Sequence, residues 1–363
     1  MSAFLQTFLR RAETAADARL EAPGPLWRAA MALPAALYGA ASAARLRARA
    51  ASAVGLAVPI VSVGALSVGG VGKTPAVRIV VEALLARGRR PAVVTNGCAA
   101  DETTLLAAWL GPQTVVLGAR AREDAAREAA ARGADVVVLD DAFQYTGLKR
   151  GLDVLCVDPA DPLEGGHVLP AGRLREPVSG LHRAGLLWTF VSAPSDHGRR
   201  DGGHRLGPDE ASASVTRAAR RAGARETLAA RVVVAVTAPV APHGLGPGAP
   251  VALCTGVARP RRVAASARAA GLDVRAHFVL PDHADLDGPS ADRMWRRAAA
   301  AGARLLVTTE KDACRPGLAA LVASGRAAVL GQRVTLMRGA AHLEAALDAV
   351  APRGPAAAGS ARS

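Results

Sequence analysis

The stretch SVGGVGKTP, Ser67 to Pro75, limits what this chain can fold into more than any other feature. Its glycines Gly69, Gly70 and Gly72 allow positive φ and close approach, the conditions under which successive backbone N–H groups surround phosphate oxygens. Lys73 adds a cation in reach of β- and γ-phosphates, and Thr74 adds a hydroxyl for Mg²⁺. An apolar run, Val58 to Gly64, leads into the loop, and a helix-compatible stretch beginning at Pro75 leads out. The helix N-terminus then contributes its partial positive charge. The general pattern G-x-x-x-x-G-K-[ST] has glycine where this chain has Ser67, a tolerable change if that position needs no positive φ. Ser67, Val68, Gly69, Gly70, Val71, Gly72, Lys73 and Thr74 are therefore read as a nucleotide-binding loop.

Further apolar runs follow at 91–97, 114–118, 135–141, 152–158 and 185–193, separated by Ala-, Glu- and Arg-rich segments without interior glycine or proline, such as 75–87 and 120–132. This alternation predicts an α/β fold with a mainly parallel sheet, of the P-loop NTPase type. From Pro194 to Arg225 the composition turns to Gly, Arg, Ser and Asp and reads as a loop-rich connection. A second set of runs, 231–236, 251–257, 272–280 and 304–312, predicts a smaller α/β domain. The expected division is 1–56 as a basic and apolar helical segment, 57–225 as the phosphate-loop domain, 226–352 as the smaller domain completing a cleft, and 353–363 as a flexible tail.

DVVVLDD, Asp135 to Asp141, ends a predicted buried strand on two carboxylates, and phosphate-loop proteins commonly place a metal-holding carboxylate there. Asp140 and Asp141 join Thr74 as candidate Mg²⁺ residues. Only three lysines occur in the chain, Lys73, Lys149 and Lys311, so lysine is an unusual choice wherever it stands.

The 45 Lys and Arg against 31 Asp and Glu give a net charge of +14, which favours an anionic partner. Nucleic acid is not expected: aromatic content is 3% and no RNP, zinc-finger or basic-zipper pattern occurs. Four widely spaced cysteines, without C-x-x-C, indicate neither zinc nor a disulfide framework. The longest nearly apolar stretch, Ala29 to Ala44, contains Pro34 and is flanked by Arg28, Arg45, Arg47 and Arg49. It falls short of the roughly 18 to 20 residues that span a bilayer but suits an interface with anionic headgroups, or packing on its own domain.

Taken together, the motifs resemble the tetraacyldisaccharide 4'-kinase (lipid A 4'-kinase) family. The loop is similar to that family's G-N-[IL]-[ST]-V-G-G-x-G-K-T-P, DDAFQ (Asp140 to Gln144) to D-D-G-x-Q, LPAGRLREP (Leu169 to Pro177) to L-P-A-G-x-L-R-E-P, PDH (Pro281 to His283) to P-D-H, and TTEKDA (Thr308 to Ala313) to T-T-E-K-D-A. The resemblance runs from about Pro25 to about Leu347.

It implies an ATP- and Mg²⁺-dependent kinase that phosphorylates the 4'-hydroxyl of an acylated glucosamine disaccharide 1-phosphate, peripheral at the cytoplasmic face of the bacterial inner membrane. It also implies that Asp101, with His283, deprotonates the acceptor hydroxyl beside Lys73, and that Gln144, Arg175, Glu176 and Lys311 line the cleft. Departures gather on the acceptor side: the family's Asn is Ala65, its S-R-G-Y reads Thr95, Asn96, Gly97, Cys98, its G-D-E-P reads Ala100 to Thr103, and Tyr145 ends its D-D-G-x-Q-H. Two alternatives stand beside the kinase: a P-loop switch ATPase binding a protein or nucleic-acid partner, and a non-catalytic relative that holds lipid and nucleotide.

Overall fold

Valine-rich runs with both faces covered are what parallel strands between helices require, and each predicted run becomes a strand in the computed structural model, which describes residues 24–97, 100–193, 206–281 and 286–353. In chain order the strands are β1 (Ile60–Gly64), β2 (Pro91–Thr95), β3 (Val115–Gly118), β4 (Val136–Asp140), β5 (Leu152–Val157), β6 (Leu186–Ser192), β7 (Val232–Val240), β8 (Pro250–Thr255), β9 (Asp273–Val279), β10 (Leu305–Thr309) and β11 (Ala327–Arg338). The helices are α1 (Pro25–Ala30), α2 (Ala32–Ala51), α3 (Lys73–Leu85), α4 (Ala100–Leu110), α5 (Arg122–Ala131), α6 (Pro208–Arg221), α7 (Glu226–Ala229), α8 (Pro260–Ala269), α9 (Gly288–Ala300), α10 (Pro316–Ala323) and α11 (Ala340–Val350).

The described strands form one sheet in the order β3-β2-β4-β1-β5-β6-β7-β11-β10-β8-β9. Neighbours are parallel except β7 and β11. β1 lies between β4 and β5, with Val63 level with Asp140 on one side and Val154 on the other. Loops after β1, β4 and β5 thus share one sheet edge, where α/β sheets bind ligands.

One expectation is corrected. The polar connection 194–225 contains α6, whose 14 residues bury Ala211, Val215 and Ala219 on one face against Val191, Val232 and Val234. That i, i+4, i+8 stripe is an amphipathic helix hidden by polar composition. Pro208 opens the helix and the Glu210 carboxylate accepts the Gly207 N–H at 2.9 Å. Beyond α6, β7 continues the sheet in parallel register beside β6, Leu187 opposite Val232.

β11, not anticipated, ties the two regions together. Its first residues pair with β10 and its remainder runs antiparallel to β7. α11 then returns, burying Leu343, Ala346 and Leu347 with Val61, Val77 and Val80 in the phosphate-loop core.

Candidate active site

Gly72 caps α3 in a left-handed conformation, φ 89°, and Lys73 begins the helix. Gly69 is also left-handed, φ 101°. A side chain at Gly72 would run into the Phe190 ring, and one at Gly69 into the Arg173 guanidinium. Both glycines are required by conformation, and Gly72 by space as well. The segment around Arg173 braces the loop from outside: Val68 N–H donates to Arg173 O at 2.9 Å, Arg175 N–H to Leu66 O at 2.7 Å, and Arg173 Nη2 to Val68 O at 2.9 Å. The two sequence blocks SVGGVGKTP and LPAGRLREP are one structural unit. Ser67, with negative φ as its substitution for glycine requires, donates from Oγ to Glu164 Oε1 at 3.3 Å.

Asp140 and Asp141 end β4 with opposite surroundings. Asp141 turns through φ 47° and meets Lys73 Nζ at 3.1 Å and Arg175 Nη1 at 2.8 and 2.9 Å. Burial opposes its ionisation, yet the Arg175 and Lys73 cations hold its carboxyl well below the usual range. Asp140 is 2% exposed, and its Oδ1 has no hydrogen-bond partner among the described residues. Burial, with the charges of Glu102 and Asp141, pushes it up to about 7 against the pull of Lys73 and Arg122. A buried carboxylate oxygen with an open lone pair beside Lys73 is the donor a magnesium ion takes. Mg²⁺ is commonly held by one or two carboxylates plus substrate phosphates.

Asp101 opens α4 and is 7% exposed. Its Oδ1 accepts the Glu102 N–H at 3.0 Å and its Oδ2 accepts Arg315 Nη2 at 3.3 Å. Arg315 also pairs with Asp312 at 3.1 Å and donates to Gly256 O at 2.8 Å. Lys311 Nζ bonds Glu102 Oε1 at 3.0 Å, and Trp109 Nε1 bonds Glu310 Oε1 at 3.2 Å. The TTEKDA block therefore docks along the helix that carries Asp101. His283, its expected partner, lies outside the described residues, as does Cys98.

Glu176 does not line a cleft. It is 1% exposed, and its Oε1 accepts Gln144 Nε2 and Arg183 Nη2, both at 2.8 Å. Gln144 also donates to Ala65 O at 2.8 Å. The pair acts as an internal brace beneath the loop. Arg175 instead faces Asp141. Tyr145 lies beneath two guanidiniums, Arg122 at 5.3 Å and Arg49 at 6.0 Å from the ring centre.

Four arginines escaped the sequence reading: Arg122, whose Nη1 donates to Asp141 O at 3.1 Å, Arg173, Arg259 and Arg315. Arg173 and Arg315 lie in or just beyond recognised blocks, and that adjacency was the available signal. Arg122 and Arg259 carried none among so many arginines.

A model of the tetraacyldisaccharide-1-P 4'-kinase family matches residues 27–100 and 97–351. A tetraacyldisaccharide 4'-kinase of Anaeromyxobacter sp. (strain K) is 36% identical over 92% of this chain and 94% of its own length. One from Geobacter sulfurreducens is 34% identical over 78% and 83%. The crystal structure of LpxK from Aquifex aeolicus in complex with ATP shares the fold, with TM-score 0.62 and 19% identity over 89% of this chain and 99% of that one. Matched along most of its length by model and relatives alike, this chain belongs to the tetraacyldisaccharide 4'-kinase family.

Proposed function

We infer that this protein transfers the γ-phosphate of ATP to the 4'-hydroxyl of tetraacyldisaccharide 1-phosphate, a step of lipid A biosynthesis. The observation that carries the residue roles is the arrangement at the sheet edge: Lys73 and Arg175 converge on Asp141 while Asp140 keeps an open oxygen beside them.

The backbone of Gly69 to Gly72 and the α3 N-terminus bind the phosphates, and Lys73 neutralises charge on the transferring group. Asp140 and Thr74 hold Mg²⁺, which supplies further neutralisation of the phosphate oxygens when bound. Asp141 positions Lys73 rather than serving first as a metal ligand, because its two oxygens are engaged by cations. Asp101, with His283 of the P-D-H block, takes the proton of the 4'-hydroxyl as that oxygen bonds to the γ-phosphorus and ADP leaves. Arg315 and the Glu102 N–H fix the orientation of the Asp101 carboxylate.

An acylated substrate requires access from a lipid surface. No described helix is long and apolar enough to cross a membrane. Leu26, Leu33 and Leu37 on α1 and α2 are 86%, 69% and 64% exposed, next to Arg28, and this face suits peripheral attachment to an anionic bilayer. The cytoplasmic face of the inner membrane, where ATP is available, is the compartment that fits.

The test is transfer of labelled γ-phosphate to tetraacyldisaccharide 1-phosphate in detergent micelles. Wild type labels the lipid; Lys73→Ala loses on the order of 10³-fold, and Asp101→Asn loses about 10² to 10⁴-fold while still binding ATP. A wild-type protein that binds ATP and labels nothing would sink the assignment.

A further inference from the structure

The loop that follows β8 lies against the phosphate loop. A Cβ at Gly69 would stand 3.7 Å from Ala258 Cβ, and the next residue, Arg259, sends its guanidinium to two carboxylates of the phosphate-loop side. Nη2 meets Glu164 Oε1 at 2.8 Å, and Nη1 pairs with Asp158 just past the end of β5. Glu164 is the acceptor of the Ser67 hydroxyl, so the ion pair touches the loop at its first position.

Each carboxylate keeps a cation without Arg259. Arg262 pairs with Asp158, and Arg173 approaches Glu164 at 3.5 Å. Removing the only partner of a buried charge is costly, but here the departure of one guanidinium strands neither acid. The Arg259 side chain is 15% exposed, which leaves it a path toward solvent and the mouth of the loop.

The base of the Arg259 loop is also tied to the acceptor side. Gly256 N–H donates to Asp312 Oδ2 at 3.0 Å and Gly256 O accepts Arg315 Nη2, the guanidinium that holds Asp101. A pull on Arg259 is therefore mechanically connected to the carboxylate proposed to take the acceptor's proton.

We propose that Arg259 is a further catalytic residue, a cation parked on Glu164 and Asp158 that transfers to the γ-phosphate of bound nucleotide. This rests on the kinase reading above. A triphosphate in the loop is a stronger anionic partner than two carboxylates already paired with Arg173 and Arg262, and a planar guanidinium matches phosphate oxygens in a bidentate manner. As the bond between the γ-phosphorus and the bridging oxygen breaks, Arg259 neutralises charge on the transferring group, the role of an arginine finger supplied in cis.

The experiment measures dissociation constants of Mg·ATPγS and Mg·ADP by calorimetry, with phosphate transfer read in parallel. For Arg259→Ala the ATPγS complex weakens by about tenfold or more, ADP binding stays within about twofold, and turnover at saturating ATP falls by on the order of 10³. Arg259→Lys, which keeps the charge but loses the fork, falls between. Glu164→Gln raises the preference for ATPγS over ADP, and that gain disappears when combined with Arg259→Ala. Equal weakening of both nucleotides, or an unchanged ratio in a folded Arg259 variant, overturns the proposal. A wild type that binds neither nucleotide overturns the kinase reading, and the proposal with it.

Discussion

The phosphate side and the acceptor side of this site are built on different plans. The phosphate side is local: the loop, the end of β4 and the Arg173 to Arg175 segment supply Lys73, Asp140, Asp141 and Arg175 from one continuous half of the sheet. The acceptor side is composite: Asp101 and Glu102 start α4, and the cations that hold them, Arg315 and Lys311, come from beyond β10. Charge on the first side is balanced by neighbours that fold with it. Charge on the second is balanced by side chains some two hundred residues away in sequence, so orientation of the proposed base depends on that long-range packing.

Arg315→Ala carries the largest expected effect. It removes the common partner of Asp101 and Asp312, all three with side chains no more than 6% exposed. The expected cost is about 3 to 5 kcal/mol by chemical denaturation, with acceptor phosphorylation lost in whatever fraction remains folded. If ATP binding falls as steeply as transfer, the two sides are not separable.

Gly72→Ala challenges the phosphate side instead. With φ 89° and Phe190 in the way, the variant loses about 1 to 3 kcal/mol and its ATP affinity, while the Arg315 contacts persist. Retained ATP affinity would show that the loop tolerates a different cap.

A third measurement uses pH. Asp140 titrates near 7 in the fold against an ordinary 3.8, so the folded state holds a proton that the unfolded chain has released between those values. Stability from this group is full below about pH 4 and declines as pH rises to about 7. Thermal melts of metal-free protein should therefore show Asp140→Asn gaining on wild type across that window and keeping a constant lead above it. A lead that stays constant across the window would mean that Asp140 is ionised throughout.

The smallest effect belongs to Lys311→Ala. Its pair with Glu102 is about one-fifth exposed on both sides, and its loss costs below about 1 kcal/mol in denaturation. A KM change for the lipid without a change for ATP would place Lys311 with the acceptor side.

Much of the phosphate side was legible because its chemistry is contiguous in sequence. Glycines at fixed offsets, a lysine in a chain with few lysines, and two carboxylates ending an apolar run each carry a local physical signature. Glu176 was misread for the same reason: a motif residue in a loop suggests an exposed role, whereas its burial with Gln144 and Arg183 comes from packing at long range. β11 was missed because AAVLGQRVTLMR does not keep one clear period, a mixture explained by its pairing with β10 at one end and β7 at the other. α6 was missed because its stripe is made of alanine and valine within a polar stretch.

Local signatures suffice for the alternation of strands and helices, the phosphate loop and the carboxylates beside it, since hydrophobic period, backbone freedom and residue chemistry act over a few residues. Which cation answers which anion is set by long-range packing. Asp141 takes Lys73 and Arg175, Asp101 takes Arg315, and Asp158 takes Arg259. In a chain this rich in arginine any pairing is chemically allowed, and the choice falls to the burial and geometry that the sheet order imposes.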